Sequence, residues 1–428
     1  MSDKFEVVIV GAGVAGSTAA YILASAGLEV LLIERGNYAG SKNMTGGRLY
    51  SHSLNKIIPN FAKEAPVERK ITKEKVSLLT EDSAITLDYH SSRLGGNLRD
   101  SYSVLRGEFD QWLAQKAEEA GAVLAAGVRV DELLTNNGKV VGVKAGEDEI
   151  EADVVVLADG VNSLLAQQIG LKKELQPHEV AVGAKEVIEL PKQVIEDRFN
   201  LNEEEGAAWL FAGSCTSGIV GGGFIYTNKS SLSLGIVCTL SDIANSVKSV
   251  CQMVEDFKMH PAIKPLIKGG KLLEYSGHLV PEAGYDMVPQ LYGDGVVIVG
   301  DAAGLVINVG YTVRGMDLAI TSAEAAAKVI IKAREKGDFS KNSLATYKQF
   351  LDQSFVIKDM KLYKNFPHFM QNKRIFNDYP KLVDDILAGM FIVDGSTSKP
   401  LRKKVMDNLK TVGLMTLLKD SYKGMKAL

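Results

Sequence analysis

Hydrophobic positions along the chain fall into short dense runs broken by turn residues. Phe5–Val10 reads as a strand buried in a parallel sheet, Val14–Ala26 as a helix ended by Gly27, and Glu29–Ile33 as a second strand, a βαβ opening. Gly36–Tyr50, rich in Gly, Ser, Asn and Thr, is expected to be a long functional loop. Arg106–Gly121 has helical spacing, and its Phe109, Trp112, Leu113 and Ala117 are expected to pack a core. Strands are predicted at Val128–Leu133, Val140–Lys144 and Asp153–Ala158, with an Asn137-Gly138 turn between the first two. From about residue 170 to 290 the pattern changes to separate β-rich pieces, among them Gly222–Asn228 and Ser231–Cys238, as for an inserted second domain. Gly295–Val299 is again a short buried strand, and Met316–Ala333 an Ala-rich helix. Beyond about residue 340 the pattern is mostly helical, punctuated by Pro367, Pro380 and Pro400.

Composition narrows the class. The 428 residues suffice for two or three domains, and a net charge of −3 gives no basic field for nucleic acid. The three cysteines, Cys215, Cys238 and Cys251, form no CxxC pair, so they are expected to be small buried hydrophobes. No metal site is expected. The polar start lacks a secretory n-region and h-region, so a cytoplasmic protein is expected. No run approaches the about 20 apolar residues of a spanning helix, so any membrane contact would be peripheral, at the cytoplasmic face. The tail, Leu401–Leu428, has seven Lys/Arg against two Asp, with Leu401, Val405, Leu409, Val412, Met415 and Leu418 at helical spacing. A helix facing the core is the first reading. A membrane-resting or partner-docking helix is the alternative, and Gly413 is expected to weaken the helix without abolishing it.

The strongest chemical signal is Gly11-Ala12-Gly13-Val14-Ala15-Gly16, between the first strand and the first helix. Gly11 permits the tight turn, Gly13 lets backbone N–H groups approach a pyrophosphate, and Gly16 allows close helix–strand packing. Glu34, at the end of the second strand, can accept hydrogen bonds from the adenosine ribose and disfavours a 2′-phosphate. Two later strand ends, Leu157–Ser163 with Asp159-Gly160 and Val297–Gly304 with Gly300-Asp301, suit the ribityl and pyrophosphate groups of a flavin. Either alone reads as an ordinary strand-to-loop turn. Together with the opening unit they resemble the p-hydroxybenzoate-hydroxylase/glutathione-reductase type of FAD fold. The chain departs from the aromatic hydroxylases at Ala166, where they usually carry Arg, and at Asn308, where they commonly carry Pro.

Longer segments carry a closer likeness. Gly40–Tyr50, Tyr102–Arg106, Gly221–Tyr226, His260–Pro265, Gly269–Lys271, Val280–Gly284 and Gly310–Asp317 resemble the FixC family, relatives of electron-transfer-flavoprotein:quinone oxidoreductase. The resemblance covers essentially the whole chain. It implies an α/β fold with an α+β insert: a Rossmann-like FAD-binding domain at 1–75, 106–169 and 291–345, a β-sheet quinone or substrate domain at 76–105 and 170–290, and a helical C-terminal region at 346–428. It further implies that Lys42, Asn43, Thr45, Gly46 and Gly47 line the flavin ring, with Arg106, and that Gly310, Tyr311 and Thr312 approach its pyrimidine end. Arg35, Val130, Asp159, Gly160, Gly300 and Asp301 complete the cofactor set beside Gly11, Gly13, Gly16 and Glu34. Arg106 has a structural salt bridge as its competing reading.

Gly222, Gly223 and Phe224 would offer bare backbone and one ring to a flat quinone, against the competing reading of a glycine-rich strand or bulge. His278 reads as a structural histidine. The larger quinone oxidoreductases carry an iron–sulfur domain, whereas this chain has no cysteine after Cys251. The resemblance therefore implies a small FixX-like ferredoxin as the cluster's carrier and a FixA/FixB-like electron-transfer flavoprotein as the electron donor. The implied function is electron transfer through FAD to a quinone, inside a bifurcating complex that also reduces ferredoxin or flavodoxin. No side chain is nominated as nucleophile or general base. The competing functions are a stand-alone FAD-dependent reductase of the geranylgeranyl-reductase type and a non-catalytic assembly subunit, the latter disfavoured by the intact glycines and acids.

Overall fold

The computed structural model describes residues 4–43 and 47–428. Lys4–Val10 lies inside the first sheet, parallel to Val30–Glu34 on one side and Asp148–Leu157 on the other. Val123–Ala126 and Val296–Ile298 extend it in parallel, and an antiparallel pair, Glu132–Asn136 and Lys139–Ala145, leads into Asp148–Leu157. Strands buried on both faces must be apolar throughout, which is why Val7–Ile9 and Val154–Leu157 are fully buried runs. The helix Val14–Ser25 packs against both Arg106–Glu119 and Met316–Lys336. The strand expected at Val128–Leu133 begins only at Glu132. Val128 alternates like a strand, but its N–H is spent on Glu34 O (2.9 Å), while Gly127 N donates to Gly36 O (2.8 Å), tying the segment to the loop after the second strand.

A second sheet draws on widely separated parts of the chain. Among the described residues it has nine strands, eight running from Lys271–Pro281 through Val180–Glu189, Ser231–Thr239, Gly221–Thr227 and Glu205–Gly213 to Val67–Leu79, Ser101–Val104 and Gly47–Tyr50, and a ninth, Ala84–His90, paired with Val67–Leu79. Its strands at Gly47–Tyr50 and Val67–Leu79 thus start well before residue 76. Successive side chains of a strand alternate between faces. Trp209, Phe211, Ile225 and Ile236 therefore share one face, and the helix Val250–Met259 covers it with Met253 and Phe257. Gly223 belongs to this covered face: a side chain there would stand 3.1 Å from the Phe257 ring. The opposite face carries Phe224 and Tyr226.

The C-terminal region is helical, with two corrections. The tail is not one helix. It breaks at Gly413 (φ 89°, ψ 123°) into Leu401–Val412 and Leu414–Ala427, because a residue in that conformation cannot continue a helix. Its apolar stripe is only partly buried: Val405, Leu409 and Val412 are half-buried, with the first tail helix packed against Asp378–Phe391, while Leu401, Met415 and Leu418 are exposed, as are the nearby Phe391, Ile392 and Val393. The second tail helix is instead anchored through buried Asp420, which accepts from Arg374 Nε (2.7 Å) and Asn372 Nδ2 (2.8 Å). Of the cysteines, Cys215 and Cys238 are buried, but Cys251 is exposed, with its Sγ 2.8 Å from Tyr275 Oη. No helix among the described residues is long and apolar enough to cross a membrane.

The seam between the second sheet and its covering helix should dominate that unit's stability. Phe257→Ala removes a fully buried ring wedged over Gly223 and Phe211. The expected cost is about 3–5 kcal/mol, read as a lowered transition in thermal or denaturant unfolding. An unchanged transition would show that the helix does not brace the sheet.

Candidate functional site

Two strand ends of the first sheet meet at Gly11. It adopts φ +102°, its N–H donates to Ile33 O (2.7 Å), and a side chain there would lie 2.3 Å from Ala158 O. Gly16 is held as tightly, since its Cβ would stand 1.8 Å from Gly11 O. Gly13 differs. A Cβ there would meet nothing nearer than Asn43 Nδ2 at 3.8 Å, so the space beside it is open. The helix it begins has no side-chain cap, which leaves first-turn N–H groups available to an anion. Glu34 braces this turn: Oε2 accepts from Ala12 N (2.9 Å) and Oε1 from Gly36 N (2.6 Å). Each carboxylate oxygen keeps a lone pair for a ribose hydroxyl. Arg35 is exposed beside it, and half-buried Val130 lies on the segment tied to Glu34.

The loop after the second strand is pinned to the helix Arg106–Glu119 by one buried carboxylate. Asp110 takes both Arg106 Nε (2.7 Å) and Arg106 Nη2 (2.8 Å), and it also accepts from Asn43 Nδ2. Arg106 is thus in a salt bridge, and its charge also reaches Asp301. Gly40 allows the close approach, because a side chain there would lie 2.5 Å from Arg106 O. Lys42 is exposed, and Gly47 opens the edge strand Gly47–Tyr50. Thr45 and Gly46 lie outside the described residues.

Asp159-Gly160 and Gly300-Asp301 come together at neighbouring strand ends, as their pattern implied. Gly160 and Gly300 have φ of +80° and +62°. Burial raises the Asp159 carboxyl to about 6, although Ser163 Oγ donates to it at 2.8 Å. Burial also raises Asp301, against the opposing charges of Arg106 and Lys172. Sequence reasoning missed Lys172. Its buried ammonium donates to Val161 O (2.6 Å) and Ala302 O (3.0 Å), clamping the two loops together. Nothing in the sequence separates it from neighbouring Lys173. Gly310 turns the chain at φ +77°, with exposed Tyr311 and half-buried Thr312 following.

The second sheet's other face, away from the helix Val250–Met259, carries a different set of residues. Register places Ser276, Lys185, Gly235 and Phe224 in one row across four strands, with His278 and Gly222 in the next. The Phe224 ring lies over Gly235, where an added Cβ would be 2.6 Å from Phe224 Cζ. Gly222 and Phe224 therefore share a face that Gly223 does not, which corrects the grouping of all three. Lys185 is fully buried, and its ammonium is pushed well down by burial, with Glu274 opposing and Arg106 reinforcing the shift. Burial and the charges of Arg106 and Arg35 lower the His278 imidazole too. Arg106 and Arg35, from the first sheet's side, thus lie near enough for their charge to act on this face. Among the described residues no cluster of His, Cys, Asp and Glu could hold a metal ion.

The residues fit FAD: uncapped helix amides and open space at Gly13 for the pyrophosphate, Glu34 for the ribose, and buried polar strand ends beside a flat wall. Gly11→Ala should lose most bound flavin, read as the 450/280 nm absorbance ratio after purification and reloading. Gly27→Ala has positive φ (+76°) but no neighbour within 4 Å. It should cost only about 1 kcal/mol and keep its flavin. Equal flavin content in the two variants would remove Gly11 from the cofactor's cradle.

Comparison with known proteins points to the same cofactor. Residues 4–200 match the family described as FAD binding domain, residues 180–280 that described as ETF-QO, ubiquinone-binding, and residues 366–428 the ETF-QO/FixC family C-terminal domain. The Escherichia coli (strain K12) protein named probable electron transfer flavoprotein-quinone oxidoreductase YdiS is 58% identical over 426 residues, covering 100% of this chain and 99% of that one. Protein FixC of the same strain is 56% identical with the same coverage. Among solved structures, a geranylgeranyl bacteriochlorophyll reductase-like protein from Thermoplasma acidophilum shares the fold at a TM-score of 0.74 and 21% identity, over 99% of this chain and 100% of that one. The chain is an FAD-dependent oxidoreductase belonging to the family of FixC and the electron-transfer-flavoprotein–quinone oxidoreductases.

Proposed function

We propose that this chain passes electrons from a reduced electron-transfer flavoprotein, FixA/FixB-like, through its FAD to a quinone. The complex would be of the bifurcating type, with a small FixX-like ferredoxin carrying the iron–sulfur cluster and with ferredoxin or flavodoxin as a second acceptor. The observation that carries the reading is a coincidence of place. The segment matching the ubiquinone-binding family, 180–280, contributes Lys185, Gly222, Phe224 and His278, which share the face turned toward the flavin loops. The names of the relatives support the donor and the quinone.

When bound, FAD supplies the capacity to take electrons singly and release them as a pair. The chain's own residues do the rest. Gly11, Gly13, Gly16 and Glu34 hold the adenosine and pyrophosphate half. Gly160, Gly300, Asp159 and Asp301 hold the polar link, and Asn43, Gly47, Arg106, Gly310 and Thr312 position the ring. Bare backbone at Gly222 and the Phe224 ring give a flat quinone a surface to lie on. Lys185 and His278, both on that face, are the titratable groups placed to hold a proton near a quinone oxygen.

Peripheral membrane contact belongs to the same reading, because quinones reside in the bilayer. Its support is the tail: basic residues between exposed Leu401, Met415 and Leu418 on two amphipathic helices. Replacing those three by Ser should abolish flotation with anionic vesicles and leave Asp420's anchor intact. Unchanged flotation would sink the membrane contact.

Stopped-flow spectroscopy tests the electron route. Reduced electron-transfer flavoprotein should bleach the bound flavin rapidly, and added quinone should restore its colour. Phe224→Ala should slow the second phase about tenfold or more and leave the first unchanged. Rapid bleaching by NADH alone, with no partner, would favour the stand-alone reductase instead.

A further inference from the structure

At the Glu74 end of the same sheet face lies a cavity of about 330 Å³, lined by Arg48, Tyr50, Glu74, Arg93, Leu98 and Arg99 among others. That size falls at the low end of the roughly 300–1,000 Å³ of small-molecule sites. Its charge is lopsided. The two carboxylates in its wall are already committed, Glu74 to Arg48 and Asp100 to Lys70 (2.6 Å). Arg93 and Arg99 have no carboxylate partner among the described residues. They are presented by two short helical turns, Ser92–Leu94 and Asn97–Arg99. Both turns are fixed by hydrogen bonds: Ser91 Oγ accepts from Arg93 N (3.1 Å), and Asp100 Oδ1 accepts from Gly96 N (2.7 Å).

The rest of the wall mixes two leucines and the Tyr50 ring with Arg48, His52 and Thr312. Leu98 is 50% exposed, Leu94 stands beside it, and the Tyr50 ring carries the Arg48 guanidinium 4.5 Å from its centre. Thr312, from the stretch proposed to approach the flavin, closes one side. A neutral quinone could offer only single carbonyl acceptors to the two guanidiniums and no opposing charge, whereas a carboxylate matches both their charge and their forked donors. The leucines and Tyr50 ask for an apolar body behind that charge.

We infer that this cavity is a binding site for an organic carboxylate with an apolar body, its head on Arg93 and Arg99 and its body along Leu94, Leu98 and Tyr50. The occupant is a second ligand, separate from the quinone on Phe224. Its nearness to the flavin rests on the assignment of Thr312 made above; the cavity and its arginines do not. Because both arginines are exposed, affinity falls as ionic strength rises.

Isothermal titration of the FAD-loaded protein with sodium octanoate tests the site, with 1-octanol, acetate and inorganic phosphate as comparison probes. Octanoate is expected to bind saturably, at least tenfold tighter than octanol or acetate. Arg93→Gln and Arg99→Gln should each weaken it by roughly tenfold, with an unchanged thermal transition. Three results would overturn the site: no saturable octanoate binding, equal binding by the double variant, or octanol binding as tightly as octanoate. Phosphate binding as tightly as octanoate would overturn the apolar half of the assignment. Flavin absorbance recorded alongside separates the two readings. Arginine-dependent binding with a shifted flavin band supports both, and the same binding with an unmoved band keeps the carboxylate site and rejects Thr312 as the flavin's neighbour.

Discussion

Everything at the site depends on the missing side chain of Gly11. The first strand ends there, the neighbouring strand ends at Leu157, and the carbonyl of Ala158 occupies the space a Cβ would take, 2.3 Å away. Because the two chains come that close, the helix amides after Gly13 open beside Asp159, and Glu34 can brace the turn from the second strand. Lys172 then fixes the loops after two parallel strands to one another through the carbonyls of Val161 and Ala302. A lysine buried this deeply loses hydration, and two carbonyl acceptors together with the nearby charges of Asp159 and Asp301 recover only part of that loss, so burial still lowers its ammonium.

Opposite this cradle the second sheet is two-sided in chemistry as well as geometry. One face is a packed aromatic core under the helix Val250–Met259. The other keeps glycines, a ring and two basic side chains, Lys185 and His278, whose charged forms burial disfavours. Strand alternation does this with one residue's offset: Gly223 admits Phe257 on the covered side, and Gly222 on the other lets the Phe211 carbonyl come within 2.7 Å of where a side chain would stand. The same alternation, continued across the strands to Glu74, brings the proposed quinone wall and the arginine-lined cavity onto a single surface.

Legibility in the sequence followed the range of the interactions. Gly11, Gly13, Gly16 and Glu34 could be read because their spacing along a strand–helix–strand unit is itself the geometry. Asp159-Gly160 and Gly300-Asp301 could be read as strand ends, and the structure does place them side by side. What stayed hidden was pairing across long separations: Asp110 gathering Arg106 and Asn43, Lys172 spanning two loops, Lys185 entering the row of Phe224. Each is a common residue in an unremarkable local context until the fold supplies its partner. Local competition explains the other differences. Val128 alternates like a strand but is bonded to Glu34, and Gly413 in an extended, positive-φ conformation splits a periodic tail into two helices whose apolar stripe is only partly buried.

The central claim is that a single FAD spans the Gly11 cradle and the Phe224 face. A crystal structure of the FAD-loaded protein tests it most directly. The account predicts the adenosine ribose on Glu34, the pyrophosphate at the amides after Gly13, and the ring between the Gly310–Thr312 stretch and the face carrying Gly222 and Phe224. A ring lying away from that face, or a ribose without contact to Glu34, would contradict it.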